Sequence, residues 1–180
     1  MFLLDTNVVS ELRKVAEGKA DANVAAWQAS VDELACFLSV ITLQELEMGV
    51  LRIERRDPVQ GRRLREWLEQ RVIPAFAGRI LPIDQATALR CAQLHVPDPR
   101  PAHDALIAAT ALVHGLTLVT RNTSDFAPLG VDMLDPWGER HSGTSARLGC
   151  AGGIDAGSRS SASKTRCTWN PPAHYGSRTR

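Results

Sequence analysis

The stretch FLLDTN, residues 2–7, decides how the start of this chain folds. Three apolar residues run directly into Asp5, a pattern typical of a short buried strand whose carboxyl tip meets a cleft. A buried carboxylate is unfavourable unless it is paired or binds a metal ion. The stretch therefore predicts a strand that carries a functional acid at its end, and other acids are expected near it.

Further short apolar runs alternate with longer helical patterns along the first three quarters of the chain. The predicted strands are residues 2–4, 36–40, 79–83, 117–119 and 132–134. Between them we predict helices near residues 6–13, 21–30, 42–56, 58–72, 84–94 and 102–114. Strands that alternate with helices favour a parallel sheet. We therefore predict an α/β fold with a central, mostly parallel five-stranded sheet flanked by helices in three layers, over residues 1–138.

Composition excludes several other classes of protein. The 180 residues have a formal net charge of +1, so bulk charge gives no sign of nucleic-acid binding. No apolar run approaches the roughly 20 residues that span a membrane. The sequence has no basic segment followed by an apolar one at its start, so we predict no signal peptide. The four cysteines form no C-x-x-C pair, which favours a reduced, cytoplasmic protein.

Residues 139–180 differ in character from the rest. They are rich in Ser, Gly and Arg, with seven Lys/Arg against two Asp/Glu and no apolar periodicity. We predict a basic, disordered tail. It is either a non-native or weakly constrained extension, or a basic arm for RNA or a partner; its Cys and His spacing matches no zinc pattern.

Four acids fall where the strands end. Asp5 follows the first strand, Glu45 lies one turn into the helix after the second, and Asp125 follows the fourth. Asp104 lies in the first turn of the helix before the fourth strand, and we expect a crossing helix or the loop 97–101 to bring it to the same edge. Ligands of open α/β sheets bind at that carboxyl edge.

Such a cluster predicts a bound cation. At about 4 Å and an effective dielectric near 20, each pair of carboxylates repels by about 4 kcal/mol. The oxygen ligands favour Mg²⁺, with Mn²⁺ as a substitute, over zinc. A metal held by carboxylates and water is suited to phosphodiester hydrolysis. In this interpretation Asp5, Asp104 and Asp125 bind metal, Glu45 assists, and nearby polar groups hydrogen-bond waters, acids or phosphate: Thr6, Asn7, Thr120, Asn122 and Ser124.

The blocks that carry these acids also resemble a known family. FLLDTNVVSEL (2–12), ITLQELEMG (41–49), HDALIAATAL (103–112) and LVTRNTSDF (118–126) are similar to PIN domains, most closely to VapC-type ribonuclease toxins of bacterial toxin–antitoxin pairs. The resemblance implies a magnesium-dependent endonuclease that cleaves single-stranded RNA, a homodimer, and a small antitoxin that covers the acidic cleft. Matched by motif, the family's acids fall on Asp5, Glu45, Asp104 and Asp125. Its polar position after the fourth strand falls on Thr120, with Asn122 beside it.

Less specific interpretations stay open at several positions. Glu45 also fits a capping box with Thr42, and His103 is interpreted as a satisfied or solvated histidine. The arginines between residues 52 and 65 suit a solvated helix face or an RNA-phosphate contact. The alternative function is a catalytically silent PIN-fold module that binds protein or RNA. A phosphotransferase with Asp5 as nucleophile is disfavoured, because that class needs a second acid where Asn7 stands.

Overall fold

The computed structural model describes residues 1–138, and the predicted tail 139–180 lies outside the described residues. Five strands form one sheet in which every neighbouring pair is parallel. They are β1 Phe2–Leu4, β2 Cys36–Ser39, β3 Ile80–Leu81, β4 Thr117–Val119 and β5 Met133–Leu134. The predicted parallel sheet is confirmed, with outer strands shorter than expected.

Helices fill the connections between the strands. They are α1 Thr6–Leu12, α2 Ala22–Gln28, α3 Val40–Arg56, α4 Pro58–Trp67, α5 Ile73–Ala75, α6 Gln85–Leu94, α7 Ala102–His114 and α8 Thr123–Phe126. A π-helical stretch, Leu68–Val72, joins α4 to α5. No helix among these residues is long and apolar enough to cross a membrane.

The sheet order is β3-β2-β1-β4-β5. Strands β2 and β3 lie on one side of β1, and β4 and β5 lie on the other. The strand order therefore reverses between β1 and β4, which is where open α/β sheets bind ligands at their carboxyl ends. Asp5 and Thr120 directly follow these two strands.

The core lies on both faces of the sheet because successive strand residues point to opposite sides. Leu4 packs on one face with Leu38 and helices α1 to α4. Leu3 packs on the other with Leu118 and α7. Helix α7 is buried along much of its length, as its apolar sequence predicts, and it ends at Gly115, whose φ of 62° suits glycine.

The predicted capping box at the start of α3 is wrong. Ser39 caps the helix instead, and its hydroxyl oxygen accepts a hydrogen bond from the backbone N–H of Ile41 at 3.2 Å. Thr42 lies inside the helix, where its hydroxyl donates to the carbonyl of Leu4 at 3.3 Å. The helix begins directly after β2, earlier than its sequence indicated. Glu45 is therefore in the second turn, where its side chain has no capping role.

Candidate active site

Asp5 is the most buried of the four acids. The residue is only 7% exposed, at the tip of β1 and at the N-cap of α1. It accepts hydrogen bonds from the backbone N–H of Thr6 at 2.7 Å, from Asn7 Nδ2 at 2.6 Å and from Thr120 Oγ1 at 2.7 Å. These donors fix the carboxylate in one orientation at the switch point of the sheet. The predicted supporting positions Thr6, Asn7 and Thr120 all contact Asp5.

Thr120 links the two central strands. It is fully buried, and its hydroxyl oxygen also accepts from Asn7 Nδ2 at 3.1 Å and from the backbone N–H of Asn122 at 3.0 Å. A single hydroxyl thus connects the residue after β1 to the loop after β4. This loop leads directly into α8, which carries Asp125.

Glu45 is held by two donors from different helices. Thr6 Oγ1 in α1 donates to Oε2, and His103 Nδ1 in α7 lies 2.9 Å from Oε1. The Glu45 side chain is 23% exposed. It therefore lies at the junction of α1, α3 and α7.

Asp104 lies in the first turn of α7, close enough to the other acids to interact with them. Burial raises its pKa, and the nearby carboxylates of Asp5, Asp125 and Glu45 raise it further, while His103 lowers it. A helix that precedes a parallel strand runs opposite to it, so its first turn starts at the carboxyl edge. The expectation that a crossing helix or an extended loop is needed to bring Asp104 to this edge is therefore wrong.

Asp125 is the most exposed of the four acids. It lies in α8, where its Oδ2 accepts from Asn122 Nδ2 at 2.5 Å, and Ser124 Oγ is 3.4 Å from its Oδ1. Asn122 therefore acts on Asp125, whereas Thr120 acts on Asp5. The two polar positions after β4 orient different acids.

The electrostatics of the site favour neutralisation of the acids. Burial raises the pKa of Asp5 and outweighs its hydrogen bonds with Thr120 and Thr6, and Glu45 raises the pKa further. Among residues 1–138, the ion pairs leave Asp5, Asp104 and Asp125 without a Lys or Arg partner. Within the described residues, hydrogen bonds rather than ion pairs with Lys or Arg therefore hold these three carboxylates.

The donor chemistry fits a hard divalent cation. Oxygen ligands from carboxylates are what Mg²⁺ and Mn²⁺ prefer. Within the described residues, no three His, Cys, Asp or Glu side chains lie close enough as they stand to hold an ion together. Bound Mg²⁺ usually keeps several waters and takes only one or two carboxylates as direct ligands, so an ion here would not need three of these acids to contact it at once.

The arginines between residues 52 and 65 lie apart from this chemistry. Arg65 pairs with Glu47 at 2.6 Å and with Glu54 at 3.1 Å, and so connects α4 to α3. Gly61 allows this approach, because a Cβ there would lie 2.5 Å from the Cα of Glu54. The other arginines of the run are exposed.

Comparison with known proteins decides the family. The model of the PIN domain matches residues 2–129. The chain belongs to the PIN domain family. A VapC ribonuclease, Y4jK, from Sinorhizobium fredii is 38% identical over 145 residues, covering 76% of this chain and 98% of the relative. Toxin FitB of Neisseria gonorrhoeae is 39% identical over 146 residues, covering 76% of this chain and 99% of FitB.

A solved structure agrees with this assignment. The FitAB structure bound to an IR36 DNA fragment contains a chain that is 36% identical to this PIN domain, with a TM-score of 0.71. The match covers 79% of this chain and all of that one. The family resemblance and the α/β fold inferred from sequence are confirmed.

The contact between His103 and Glu45 is what sequence reasoning missed in this PIN domain. The two residues are 58 positions apart, and His103 carried no signal beyond its place next to Asp104. The contact depends on the packing of α7 beside α3, which brings His103 next to Glu45. The contact replaces the earlier interpretation of Glu45 as a capping residue.

Proposed function

We propose that this PIN-domain protein is the endoribonuclease toxin of a toxin–antitoxin pair, and that it cleaves single-stranded RNA with Mg²⁺, or Mn²⁺ in its place. The observation that carries the proposal is the placement of four acids at the carboxyl edge of the sheet, where they repel one another: Asp5 after β1, Glu45 in α3, Asp104 in α7 and Asp125 in α8. The pKa values of Asp5 and Asp104 are both raised there. Carboxylates that repel one another in this way are stabilised by a divalent cation, and phosphodiester hydrolysis uses such a cation.

Each acid has its own role in the proposed site. Asp5, Asp104 and Asp125 would hold the ion, and Glu45 would help to bind it or orient the attacking water. When bound, the ion supplies Lewis acidity, which activates water and offsets charge on the phosphate. Thr120 and Asn7 hold the Asp5 carboxylate in place by hydrogen bonds, and Asn122 does the same for Asp125.

A cleavage assay with two matched variants tests the proposal. Full-length protein is incubated with end-labelled single-stranded RNA in Mg²⁺, and with EDTA as the metal-free arm. Asp5→Asn removes a site acid, whereas Asp132→Asn removes an exposed acid before β5, at the opposite edge of the sheet. We expect Asp5→Asn to lower the rate at least 100-fold and Asp132→Asn to leave it unchanged. Equal cleavage by wild type and Asp5→Asn would mean that a contaminating nuclease is responsible.

We also infer a cytoplasmic protein that forms a homodimer and binds a small antitoxin. The support is the chain's similarity to FitB and to the toxin in the solved FitAB complex. Co-expression of the neighbouring small reading frame should relieve growth arrest and yield a complex that purifies intact. Light scattering of the toxin variant Asp5→Asn should give the mass of two chains, and a monomer would contradict the dimer.

The catalytically silent alternative is not favoured. The relatives that the chain matches over nearly their full length include a protein named a ribonuclease. A silent module would also have little reason to keep a buried Asp5 with three donors around it. Calorimetry that detects neither Mg²⁺ nor Mn²⁺ binding would reverse this judgement.

A further inference from the structure

His103 is next to Asp104 in the sequence and contacts Glu45 in the fold. It is the second residue of α7 and immediately precedes Asp104. Its Nδ1 lies 2.9 Å from Glu45 Oε1, with side-chain exposures of 38% for His103 and 23% for Glu45. A contact at this distance between partly buried groups restricts both side chains.

The direction of this hydrogen bond follows from the acceptor. An ionised carboxylate can only accept hydrogen bonds, so Nδ1 of His103 must carry the proton. This assignment holds for the neutral Nδ1–H tautomer and for the protonated ring alike. His103 is thus a donor to Glu45 in either state, and its Nε2 is left for other contacts.

The second oxygen of Glu45 has a matching donor. Thr6 Oγ1 donates to Oε2, so each carboxylate oxygen accepts one hydrogen bond. Thr6 follows Asp5 in the chain and His103 precedes Asp104. The two donors therefore link Glu45 to the neighbours of two other acids, Asp5 at the N-cap of α1 and Asp104 in α7.

We propose that His103 is a positioning residue that, together with Thr6, holds the Glu45 carboxylate towards Asp5 and Asp104. The inference rests on the proposed nuclease function. A glutamate has three side-chain torsions and loses much rotamer freedom when it is fixed. The hydrogen bond from His103 limits that freedom before substrate binds, in the way that outer hydrogen-bond partners orient metal-binding carboxylates.

Two substitutions separate the hydrogen bond from the ring. His103→Ala removes the donor, whereas His103→Asn keeps a side-chain N–H near the place of Nδ1. A hydrogen bond to a charged acceptor typically changes an equilibrium or rate constant by tenfold or more when it is lost completely. We therefore expect His103→Ala to lower kcat about tenfold with KM within about twofold, and His103→Asn to recover kcat to within about threefold of wild type. His114→Ala, an exposed histidine in the last turn of the same helix, should leave kcat unchanged.

Metal affinity gives a readout that does not depend on turnover. Calorimetric titration with Mn²⁺ alone should show binding to His103→Ala weakened about fivefold, and binding to His103→Asn close to wild type, if a bond of this class holds a metal-binding carboxylate. In a Glu45→Ala background, adding His103→Ala should change Mn²⁺ affinity less than about twofold, because the acceptor of the hydrogen bond is already absent. Melting of each variant by circular dichroism confirms that it is folded.

The outcomes distinguish the two levels of the proposal. If wild type binds Mn²⁺ and cleaves RNA while His103→Ala does both equally well, the positioning role is overturned and the nuclease function stands. If His103→Ala weakens Mn²⁺ binding equally in the wild-type and Glu45→Ala backgrounds, His103 acts through another group and the inference is overturned. If wild type itself binds no Mn²⁺, the proposed function fails and this inference fails with it.

Discussion

Replacing Thr120 by Val should reveal how strongly the site depends on one buried hydroxyl. The side chain is fully buried, and its Oγ1 donates to Asp5 Oδ2 at 2.7 Å. The same oxygen accepts from Asn7 Nδ2 and from the backbone N–H of Asn122. Valine keeps the volume but deletes all three contacts, so it is not a neutral replacement.

The expected loss of stability follows from these contacts. A hydrogen bond to a charged acceptor contributes about 1.5–3 kcal/mol, and an orphaned buried donor loses at least about 1 kcal/mol. Asn7 still donates to Asp5, so the N–H of Asn122 is the principal group left without a partner. We expect the free energy of unfolding to fall by about 3 kcal/mol, or Tm by about 10 °C for a chain of this size.

The loss should also depend on pH. The hydrogen bond from Thr120 lowers the pKa of Asp5 and so stabilises the ionised acid, although burial raises the pKa overall. The extra stability from Thr120 is therefore present when Asp5 is ionised and declines as the pH falls through its raised pKa. The difference between wild type and Thr120→Val should be largest near neutral pH and shrink on acidification.

Urea unfolding of the metal-free, full-length protein at several pH values measures this difference. Thr120→Ser is the matched control, since it keeps the hydroxyl and loses only a methyl group, worth about 1 kcal/mol. A loss below about 1 kcal/mol for valine, or a loss that does not change with pH, would refute the assignment of Thr120 as a donor to ionised Asp5.

Four further substitutions, one of them a matched control, test other parts of the structure. Asp104→Asn should raise the Tm of the metal-free protein at neutral pH, because the raised pKa of Asp104 means that its ionised form disfavours folding. The same variant should bind Mn²⁺ more weakly in calorimetry. A lower Tm would contradict the repulsion between Asp104 and the other acids. Gly61→Ala should lower the free energy of unfolding in urea by about 1–3 kcal/mol, since its Cβ would lie 2.5 Å from the Cα of Glu54. The control Gly49→Ala lies in the same helical hairpin but has open space around its Cβ, so it should raise the free energy of unfolding by up to about 1 kcal/mol. Ser39→Ala should cost about 1 kcal/mol of stability as the loss of a helix cap, and no effect in thermal melting would reject Ser39 as the cap of α3.

Local sequence was enough to predict the elements of the fold that dominate the centre of the sheet. Phe2–Leu4 and Thr117–Val119 are predicted with the bounds that the structure gives, because a short, largely apolar run that stops at polar residues is typical of a buried strand. The alternation of strands and helices then implied parallel pairing. The predicted fold class is confirmed by the PIN-domain match and by the FitAB structure.

Local sequence failed where two signals competed. Thr42 and Glu45 have the spacing of a capping box, but Ser39 already ends the strand and caps the helix three residues earlier. The hydroxyl of Thr42 instead reaches the backbone of β1. The cap of α3 lies at the residue where β2 stops. That residue is Ser39, because Ser39 is the last residue of β2 to pair with β3, opposite Leu81.

Long-range contacts of the site were only partly predictable. Four acids near one edge follow from topology, because strand ends and the first turns of the connecting helices share that edge. The partners of each acid depend on side-chain packing between helices, which is why the donor role of His103 towards Glu45 carried no signal. The ligand roles of Asp5, Glu45, Asp104 and Asp125 stay predictions.

A crystal soaked in Mn²⁺ shows directly, in its anomalous difference map, whether these acids bind a divalent ion. We expect a peak at the carboxyl edge between β1 and β4, with carboxylate oxygens of Asp5 and Asp104 at about 2.1 Å from it. The peak should be absent from crystals of Asp5→Asn. A well-ordered wild-type crystal with no peak there, or with its strongest peak away from these two residues, would contradict the claim that these acids gather to bind a divalent ion.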